Sequence, residues 1–263
     1  MDSQLSCARL AEMLAGLPIT PHTFDALPST NTELLARAKN GAPEGTLLAA
    51  ASQTAGRGTR GRAYFCPPDT GVYFSLLLRP RALAEVYGAV TPAAAVAVAE
   101  AIDAVFGVCA GIKWVNDVYL RGKKVAGILA EASTETAGGA ACIVLGVGVN
   151  LAEPPGGFPD LPNAGAILER GAALDETVRV KLAAEAARRF WGYYERLGER
   201  AFLPAYRDRS ILLGRRISYT RAGETRCATA YAIDGDFRLA VRAEDGRAEK
   251  LSFGEVQLQL CET

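Results

Sequence analysis

Histidine is nearly absent from this chain of 263 residues, in which His22 is the single one. A histidine-rich metal centre is therefore excluded, and a Ser-His-Asp triad could form only around His22. His22 precedes a strand-like segment, which favours a structural or solvated role over a catalytic one. An excess of one charge is missing too, because lysine plus arginine and aspartate plus glutamate each total 29. This balance does not indicate a nucleic-acid-binding protein, so any concentration of positive charge must be local.

Paired cysteines and long hydrophobic runs are the next two absences. None of the six cysteines lies at metal-ligand spacing from another. They are expected to be reduced, mostly buried thiols of a cytoplasmic protein. The longest apolar window, residues 93–106, is interrupted by Glu100 and Asp103 and is too short to span a bilayer. The N-terminus is acidic and shows no signal peptide, so we expect a cytoplasmic protein.

One stretch does concentrate positive charge: residues 56–62 read Gly-Arg-Gly-Thr-Arg-Gly-Arg. Glycine permits positive φ and a close ligand approach, and successive N–H groups in such a loop can converge on an anion. Arginine adds a planar fork that matches carboxylate or phosphate oxygens. The spacing of a P-loop or of a dinucleotide-binding fold is missing. The stretch therefore predicts a loop that binds an anionic ligand, although composition alone also allows a flexible basic surface loop.

Further motifs follow along the chain. Lys113-Trp114-Val115-Asn116-Asp117 precedes a run from Arg121 to Glu131 that contains Lys124, and Gly146-Val147-Gly148-Val149-Asn150 comes later. In this order, and with Ser29-Thr30-Asn31 upstream, the motifs resemble the catalytic core of biotin protein ligases. The resemblance runs from about Ser29 to the C-terminus.

This resemblance implies an enzyme that joins biotin to ATP as biotinyl-5′-AMP and transfers the biotin to a lysine of a carrier protein. ATP and biotin would be its substrates, with Mg²⁺ arriving with ATP and no tightly bound protein metal. The partner would be the biotin carboxyl carrier protein or domain of a biotin-dependent carboxylase, and the enzyme a monomer or homodimer. No nucleic-acid partner is expected, because the helix predicted over residues 3–17 is too short for a helix-turn-helix. No membrane partner is expected either, because the longest apolar window is too short to span a bilayer. Lipoate–protein ligase and a non-catalytic biotin-binding protein remain alternatives.

The resemblance also implies a set of biotin-binding residues. They are Ser29, Thr30, Asn31, Gln53, Gly56, Arg57, Gly58, Thr59, Lys124 and Gly127. Ser29 and Thr30 also suit plain helix capping, and both roles are compatible because capping and ligand-binding donors lie at the same helix end. Gly146 and Gly148 are expected to leave room for a flat ring or a ribose.

Three residues are expected to be catalytic. Lys124 would bridge the biotin carboxylate and the phosphate, Arg57 would neutralise charge, and Asp117 would steer or deprotonate the acceptor lysine. The ordinary alternative for Lys124 is a solvent-facing lysine on a strand. The adenylate is expected to contact Arg57, Thr59, Arg60, Lys113, Trp114, Asn116, Lys124 and Asn150.

The patterns predict an α+β fold with a mixed β-sheet flanked by helices over residues 1–212. By resemblance, this catalytic domain is of the class II aminoacyl-tRNA synthetase and biotin ligase type, and residues 213–263 form a small SH3-like barrel. Thr91-Pro92 is expected to open an apolar helix that ends near Phe106. Arg121-Gly122 and Gly138-Gly139 read as tight turns. Four C-terminal strands are expected, over residues 217–220, 227–233, 237–241 and 256–260.

Overall fold

The computed structural model describes residues 5–134, 141–170, 172, 174–221, 223–252 and 256–260. The α-helices over these residues are α1 Cys7–Met13, α2 Thr30–Lys39, α3 Leu83–Phe106, α4 Glu176–Tyr194 and α5 Leu203–Asp208. The strands are β1 Thr20–Leu27, β2 Thr46–Gln53, β3 Gly71–Leu78, β4 Gly111–Lys113, β5 Asp117–Leu120, β6 Lys123–Ser133, β7 Cys142–Asn150, β8 Arg216–Arg221, β9 Glu224–Ile233, β10 Leu239–Arg242, β11 Ala248–Leu251 and β12 Val256–Leu260.

Seven strands form a large sheet in the order β1-β2-β3-β7-β6-β5-β4. Strands β1 and β2 are parallel, and each other neighbouring pair in this sheet is antiparallel. The expected mixed sheet is therefore confirmed. The central strands β3 and β7 are buried along their whole length. Strands covered on both faces read as continuous apolar runs rather than as alternating patterns, and these two do so.

Helices cover the sheet on both faces and create two cores. Leu47 packs into the larger core with α1, α3 and α4, whereas its neighbour Leu48 packs against Leu34 of α2 in the smaller one. Adjacent strand residues point to opposite faces, which explains this division. The smaller core places the N-terminus of α2 over the middle of the sheet, where the candidate site lies.

Helix α3 begins at Leu83 and not at Thr91 as expected, so Pro92 lies inside it. A proline removes one N–H group and often bends or ends a helix. Here Val90 and Ala93 on either side are fully buried, and this packing carries the helix across Pro92. The helix has 24 residues and is long and apolar enough to cross a membrane, so the expectation that its apolar window is too short was wrong. Of its most apolar stretch, 67% is buried inside the protein, as in a core helix.

The C-terminal strands form a second, five-stranded antiparallel sheet in the order β11-β10-β9-β8-β12. The sequence did not predict β11, which is short and polar except for the buried Leu251. Strand β10 begins at Leu239 rather than at Phe237, because Phe237 has a φ of 61° in the preceding turn. The expected change to a small β unit is thus confirmed, with one more strand than predicted.

Several local expectations have clear outcomes. Arg121 and Gly122 have φ values of 51° and 76°, as a tight hairpin between β5 and β6 requires. The predicted Gly138-Gly139 turn lies outside the described residues. Helix α1 is shorter than expected and begins after its cap, Ser6. His22 is exposed on β1. The thiols were expected to be mostly buried, but Cys66 and Cys142 are buried while three other described cysteines are exposed: Cys7, Cys109 and Cys227.

Candidate active site

A cleft with about 450 Å³ of empty space opens at the N-terminus of α2, beside the glycine/arginine loop of residues 56–62. All but one of the residues expected to contact biotin line it; the exception is Gly56. The lining residues are Ser29, Thr30, Asn31, Gln53, Arg57, Gly58, Thr59, Tyr64, Asn116, Lys124, Gly127, Ile128, Leu129, Gly146, Val147 and Gly148. We call this the first cleft.

Gly56 supports the loop from behind the first cleft. A Cβ atom at Gly56 would lie 2.5 Å from the Tyr64 carbonyl oxygen and 2.6 Å from Cys66 Sγ. The Tyr64 N–H donates to the Gly56 carbonyl over 2.9 Å, which pins the base of the loop. Gly56 is therefore needed for close backbone packing, and its expected contact with biotin stays a prediction.

The start of α2 is built from residues that bind one another. Ser29 caps the helix by accepting from the Thr32 N–H over 3.4 Å, so the expected cap is confirmed. The Thr30 N–H and hydroxyl both donate to Gln53 Oε1, over 2.7 and 3.1 Å. Gln53 Nε2 donates to Cys66 Sγ over 3.2 Å and keeps a second N–H. Part of this polar set is thus fixed by the protein before any ligand arrives.

Asn31 is held by a second group of contacts. It is 4% exposed, and its Oδ1 accepts from the fully buried Ser75 hydroxyl over 2.6 Å. Its Nδ2 donates to Glu131 Oε2 over 2.8 Å. A Cβ at Gly146 would lie 2.1 Å from Asn31 Oδ1, so Gly146 makes room for this side chain. Gly146 also lines the first cleft, so the expectation that it leaves space for a ligand ring stays a prediction.

Tyr64 is a lining residue that sequence reasoning missed. Its hydroxyl donates to the Gly148 carbonyl over 3.0 Å and lies 3.4 Å from Asn150 Oδ1. A Cβ at Gly148 would come within 2.8 Å of its ring, so Gly148 makes room for Tyr64. The expectation that Gly148 leaves room for a ligand ring stays a prediction. Burial raises the pKa of Tyr64 well above its ordinary value, so the phenol stays neutral. The sequence signal that could have identified Tyr64 was an aromatic residue two positions after Arg62, the last arginine of the loop.

Lys124 lies at the inner end of the first cleft and is not a plain surface lysine. Its Nζ is 2.5 Å from Asp117 Oδ1 and 5.9 Å from the centre of the Tyr64 ring. Both charged side chains are less than one-third exposed. The expected catalytic lysine and carboxylate therefore form one pair, in which Asp117 orients the ammonium group.

A second cavity meets the first cleft at Lys124. Its lining residues are Gly58, Thr59, Arg62, Ala63, Tyr64, Phe65, Lys113, Asp117, Tyr119, Lys124, Asn150, Phe158, Asp160, Leu161, Pro162, Asn163 and Ala164. The empty space in this second cavity is about 1140 Å³ and is open to solvent. Gly58, Thr59, Tyr64 and Lys124 belong to both, so the two spaces form one continuous site around the Lys124 ammonium group.

The outer wall of the second cavity is a loop, residues 153–165, which is rich in proline and glycine. The loop binds the backbone of the central lysine directly. The Lys124 N–H donates to the Asn163 carbonyl over 2.7 Å, and the Gly165 N–H donates to the Lys124 carbonyl over 2.9 Å. Asn150 Nδ2 also donates to the Gly165 carbonyl over 3.0 Å. These three bonds fix the loop, and with it the cavity wall, relative to Lys124.

The residues expected to contact the adenylate divide into groups according to which of the two spaces they line. Thr59, Lys113, Lys124 and Asn150 line the second cavity. Burial lowers the pKa of Lys113, with Asp117 acting in the opposite direction. Arg57 and Asn116 instead line the first cleft, and Asn116 Nδ2 donates to the Ile128 carbonyl over 2.9 Å.

Trp114 and Arg60 do not line these two spaces. Trp114 is 8% exposed, and its indole N–H donates to the Phe237 carbonyl over 2.7 Å. Its side chain therefore joins the large sheet to the C-terminal sheet, and its expected contact with the adenylate stays a prediction. Arg60 has a φ of 59° and lines a separate groove that includes Phe237.

Arg57 is paired with a carboxylate that the sequence did not single out. Its Nη2 lies 2.8 Å from Glu131 Oε1, and the Arg57 side chain remains 46% exposed. Two cations of the site, Arg57 and Lys124, are thus each held by one acidic residue. Such cations can bring together two anions that would otherwise repel each other, which is what acyl or phosphoryl activation requires.

The comparisons with known proteins agree with this geometry. The model of the Biotin/lipoate A/B protein ligase family matches residues 23–150. A biotin–[acetyl-CoA-carboxylase] ligase of Mycobacterium tuberculosis is 33% identical over 236 residues, which cover 87% of this chain and 85% of that protein. The bifunctional ligase/repressor BirA of Bacillus subtilis is 40% identical over 136 residues. That match covers 52% of this chain but 42% of the relative, so the chain spans about two-fifths of the length of BirA.

Solved structures show the same fold. A biotin protein ligase from Aquifex aeolicus, in complex with biotin and ATP, aligns with a TM-score of 0.73 over 92% of this chain and 99% of its own. The two sequences are 23% identical, so this likeness concerns the fold alone.

Proposed function

Because this chain belongs to the biotin/lipoate A/B protein ligase family, we propose that it activates biotin with ATP and transfers the biotin to a carrier protein. In the first step a biotin carboxylate oxygen attacks the α-phosphate, which forms biotinyl-5′-AMP and releases pyrophosphate. In the second step a lysine amine of the carrier attacks the acyl carbon, AMP leaves, and the amine loses a proton. Neither step needs a protein nucleophile.

The position of Lys124 carries this proposal. It lines both the first cleft and the second cavity, so a carboxylate in one and a phosphate in the other would meet at its ammonium group. Two anions brought together in water repel each other, and a fixed cation between them removes much of that barrier. Asp117 holds the ammonium group in place and is our candidate for steering or deprotonating the acceptor lysine, whose free pKa is about 10.4.

We assign biotin to the first cleft and the nucleotide to the second cavity. The polar set at the start of α2, including Thr30 and Gln53, suits a small ring with both donors and acceptors. The second cavity offers Lys113 and Arg62 for phosphates and the rings of Phe65 and Phe158 for a flat base. We infer that Mg²⁺ enters with the phosphates of ATP.

The names of the related biotin–[acetyl-CoA-carboxylase] ligases support our choice of the protein that accepts biotin. We infer that it is the carboxyl carrier protein or domain of a biotin-dependent carboxylase, and that the reaction takes place in the cytoplasm. The boundary between a catalytic unit over residues 1–212 and a C-terminal unit over residues 213–263 is likewise our proposal. The change from helix to antiparallel strands after α5 supports it.

The test is exchange of labelled pyrophosphate into ATP in the presence of biotin or of lipoate, followed by transfer to a carboxyl carrier domain. Exchange with biotin and labelling of one carrier lysine are the expected results. Exchange with lipoate alone would identify a lipoate ligase of the same family. Biotin binding without any exchange would mean a binding protein and would overturn the proposal.

A further inference from the structure

Glu131 joins three parts of the site that are far apart in the sequence. It lies on β6, two residues after Leu129 and on the same face of the strand, and it is about one-fifth exposed. Its Oε1 pairs with Arg57 of the glycine/arginine loop over 2.8 Å. Its Oε2 accepts from Asn31 Nδ2 of α2, also over 2.8 Å. One carboxylate therefore connects the loop, the central sheet and the helix at whose start the first cleft opens.

The chemistry of this junction requires two acceptors. Arg57 and Asn31 Nδ2 both present N–H donors, and an ionised carboxylate offers an oxygen to each. A glutamine of the same shape has one oxygen and one amino group, so it must place a donor against a donor on one side. The contact with Asn31 is the more buried, since Asn31 is 4% exposed whereas the Arg57 side chain is 46% exposed. Replacing the Glu131 carboxylate by an amide would therefore keep the buried contact with Asn31 and break the pair with Arg57.

Among the residues that the structure describes, Glu131 is the one ion-pair partner of the Arg57 side chain. The loop bonds mainly to itself, through Gly58 N–H to the Arg62 carbonyl over 2.8 Å and Tyr64 N–H to the Gly56 carbonyl over 2.9 Å. A long, half-exposed arginine side chain loses conformational entropy when it is held in one place. A carboxylate such as Glu131 repels an anionic substrate and would by itself weaken its binding. Its presence beside an anion site is therefore best explained by a role that offsets this repulsion.

We propose that Glu131 is a positioning residue for the biotin-activating reaction: it holds Arg57 and Asn31 in the arrangement that binds the acid substrate. The inference rests on the proposed function. Glu131 acts through its two partners and does not itself contact the reacting atoms. Because Glu131 already holds the Arg57 side chain in one place, binding of the anion does not have to order it. The loss of side-chain conformational entropy therefore does not weaken anion binding.

The experiment measures biotin binding by titration calorimetry in wild type, Glu131→Gln, Arg57→Ala and the double variant. Glu131→Gln is expected to weaken biotin binding about tenfold, the equivalent of one hydrogen bond to a charged group. The same substitution in the Arg57→Ala background should have much less effect, because the partner through which it acts is gone. In pyrophosphate exchange, Glu131→Gln should raise the biotin KM more than it lowers kcat. Melting temperatures check that each variant is folded.

Glu33→Gln is the matched control, because Glu33 also pairs with an arginine, Arg37, over 2.9 Å but on the outer side of α2. It should leave biotin binding unchanged. Tighter biotin binding by Glu131→Gln would mean that Glu131 only competes for Arg57, and unchanged binding would mean that it has no role; either result overturns the inference. A full effect that persists without Arg57 overturns it too. Absence of binding by wild type would instead reject the proposed function itself.

Discussion

The first cleft and the second cavity meet at one lysine but are built in different ways. The first cleft is lined by side chains that are held by hydrogen bonds, such as Thr30, which donates to Gln53, and Asn31, which donates to Glu131 outside the lining. The second cavity has as one wall a loop whose backbone binds Lys124, and the rings of Phe65 and Phe158 line it. The first arrangement favours selection by fixed donors and acceptors, and the second favours binding through contact area and charge.

The largest effect is expected where the two regions meet. Lys124→Ala should nearly abolish adenylate formation without loss of the fold, because it removes the one cation that lines both spaces. Loss of such a preorganised charge contact costs about 3 kcal/mol, or about a hundredfold in rate. Pyrophosphate exchange measures the effect. Lys123→Ala is the control, since Lys123 Nζ donates instead to the exposed Pro162 carbonyl over 2.7 Å; equal rates in both variants would contradict the assignment.

The next effect should be confined to the first cleft. Gly146→Ala places a methyl group where Asn31 Oδ1 now lies, so Asn31 must rotate away from Ser75 and Glu131. Breaking buried hydrogen bonds costs about 1–3 kcal/mol, so we expect the biotin KM to rise about thirtyfold with little change in the KM for ATP. Gly192→Ala on α4 has open space around it and is the matched control. Equal losses for both substrates would show that the two regions are not separate.

The same glycine shows where sequence reasoning fell short. Gly146 and Gly148 were expected to make room for a ligand, and the structure adds that they make room for Asn31 and Tyr64, which are distant along the chain. Pairings of this kind depend on strand register, and the register between β6 and β7 is set by packing of the whole sheet. The same reason explains why the sequence did not indicate Glu131, whose partners are 74 and 100 residues away.

Features that depend on residues close together in the sequence were, by contrast, predicted correctly. The cap at Ser29 and the turn at Arg121-Gly122 depend on a few neighbouring residues, and the structure confirms both. The glycine/arginine loop lies beside the cleft, as its composition indicated. Trp114 shows the limit of such signals: it stands within a motif of predicted site residues, yet its indole N–H donates to the Phe237 carbonyl. Proximity in sequence to Asn116 gave no information about the direction of its side chain.

An effect confined to the second cavity would complete the comparison. Phe158→Ala removes a ring that lines the cavity and meets Phe65 edge-on, with ring centres 6.5 Å apart. Stacking of a base on an aromatic ring contributes about 1–3 kcal/mol, so we expect the KM for ATP to rise about tenfold and the biotin KM to stay unchanged. Tyr231→Ala, at an aromatic side chain exposed on β9, is the control. A rise in the biotin KM instead would place biotin in the second cavity.

The smallest effect is expected at Thr59, which lines both spaces. The resemblance to biotin protein ligases leads us to expect a basic residue at this place in the loop. An arginine could pair with the phosphate of the adenylate, whereas the threonine hydroxyl offers one neutral hydrogen bond. A charged hydrogen bond contributes about 1.5–3 kcal/mol against about 1 kcal/mol for a neutral one, so Thr59→Arg should slow adenylate release three- to tenfold. Wild type should accordingly release some adenylate and label lysines of a bystander protein. Arg62 lines the second cavity and is the cation that could replace the missing charge, whereas Arg60 lines the groove toward the C-terminal sheet. An unchanged release rate in Thr59→Arg, together with no bystander labelling by wild type, would mean that Arg62 already holds the adenylate, and Arg62→Ala should then accelerate its release.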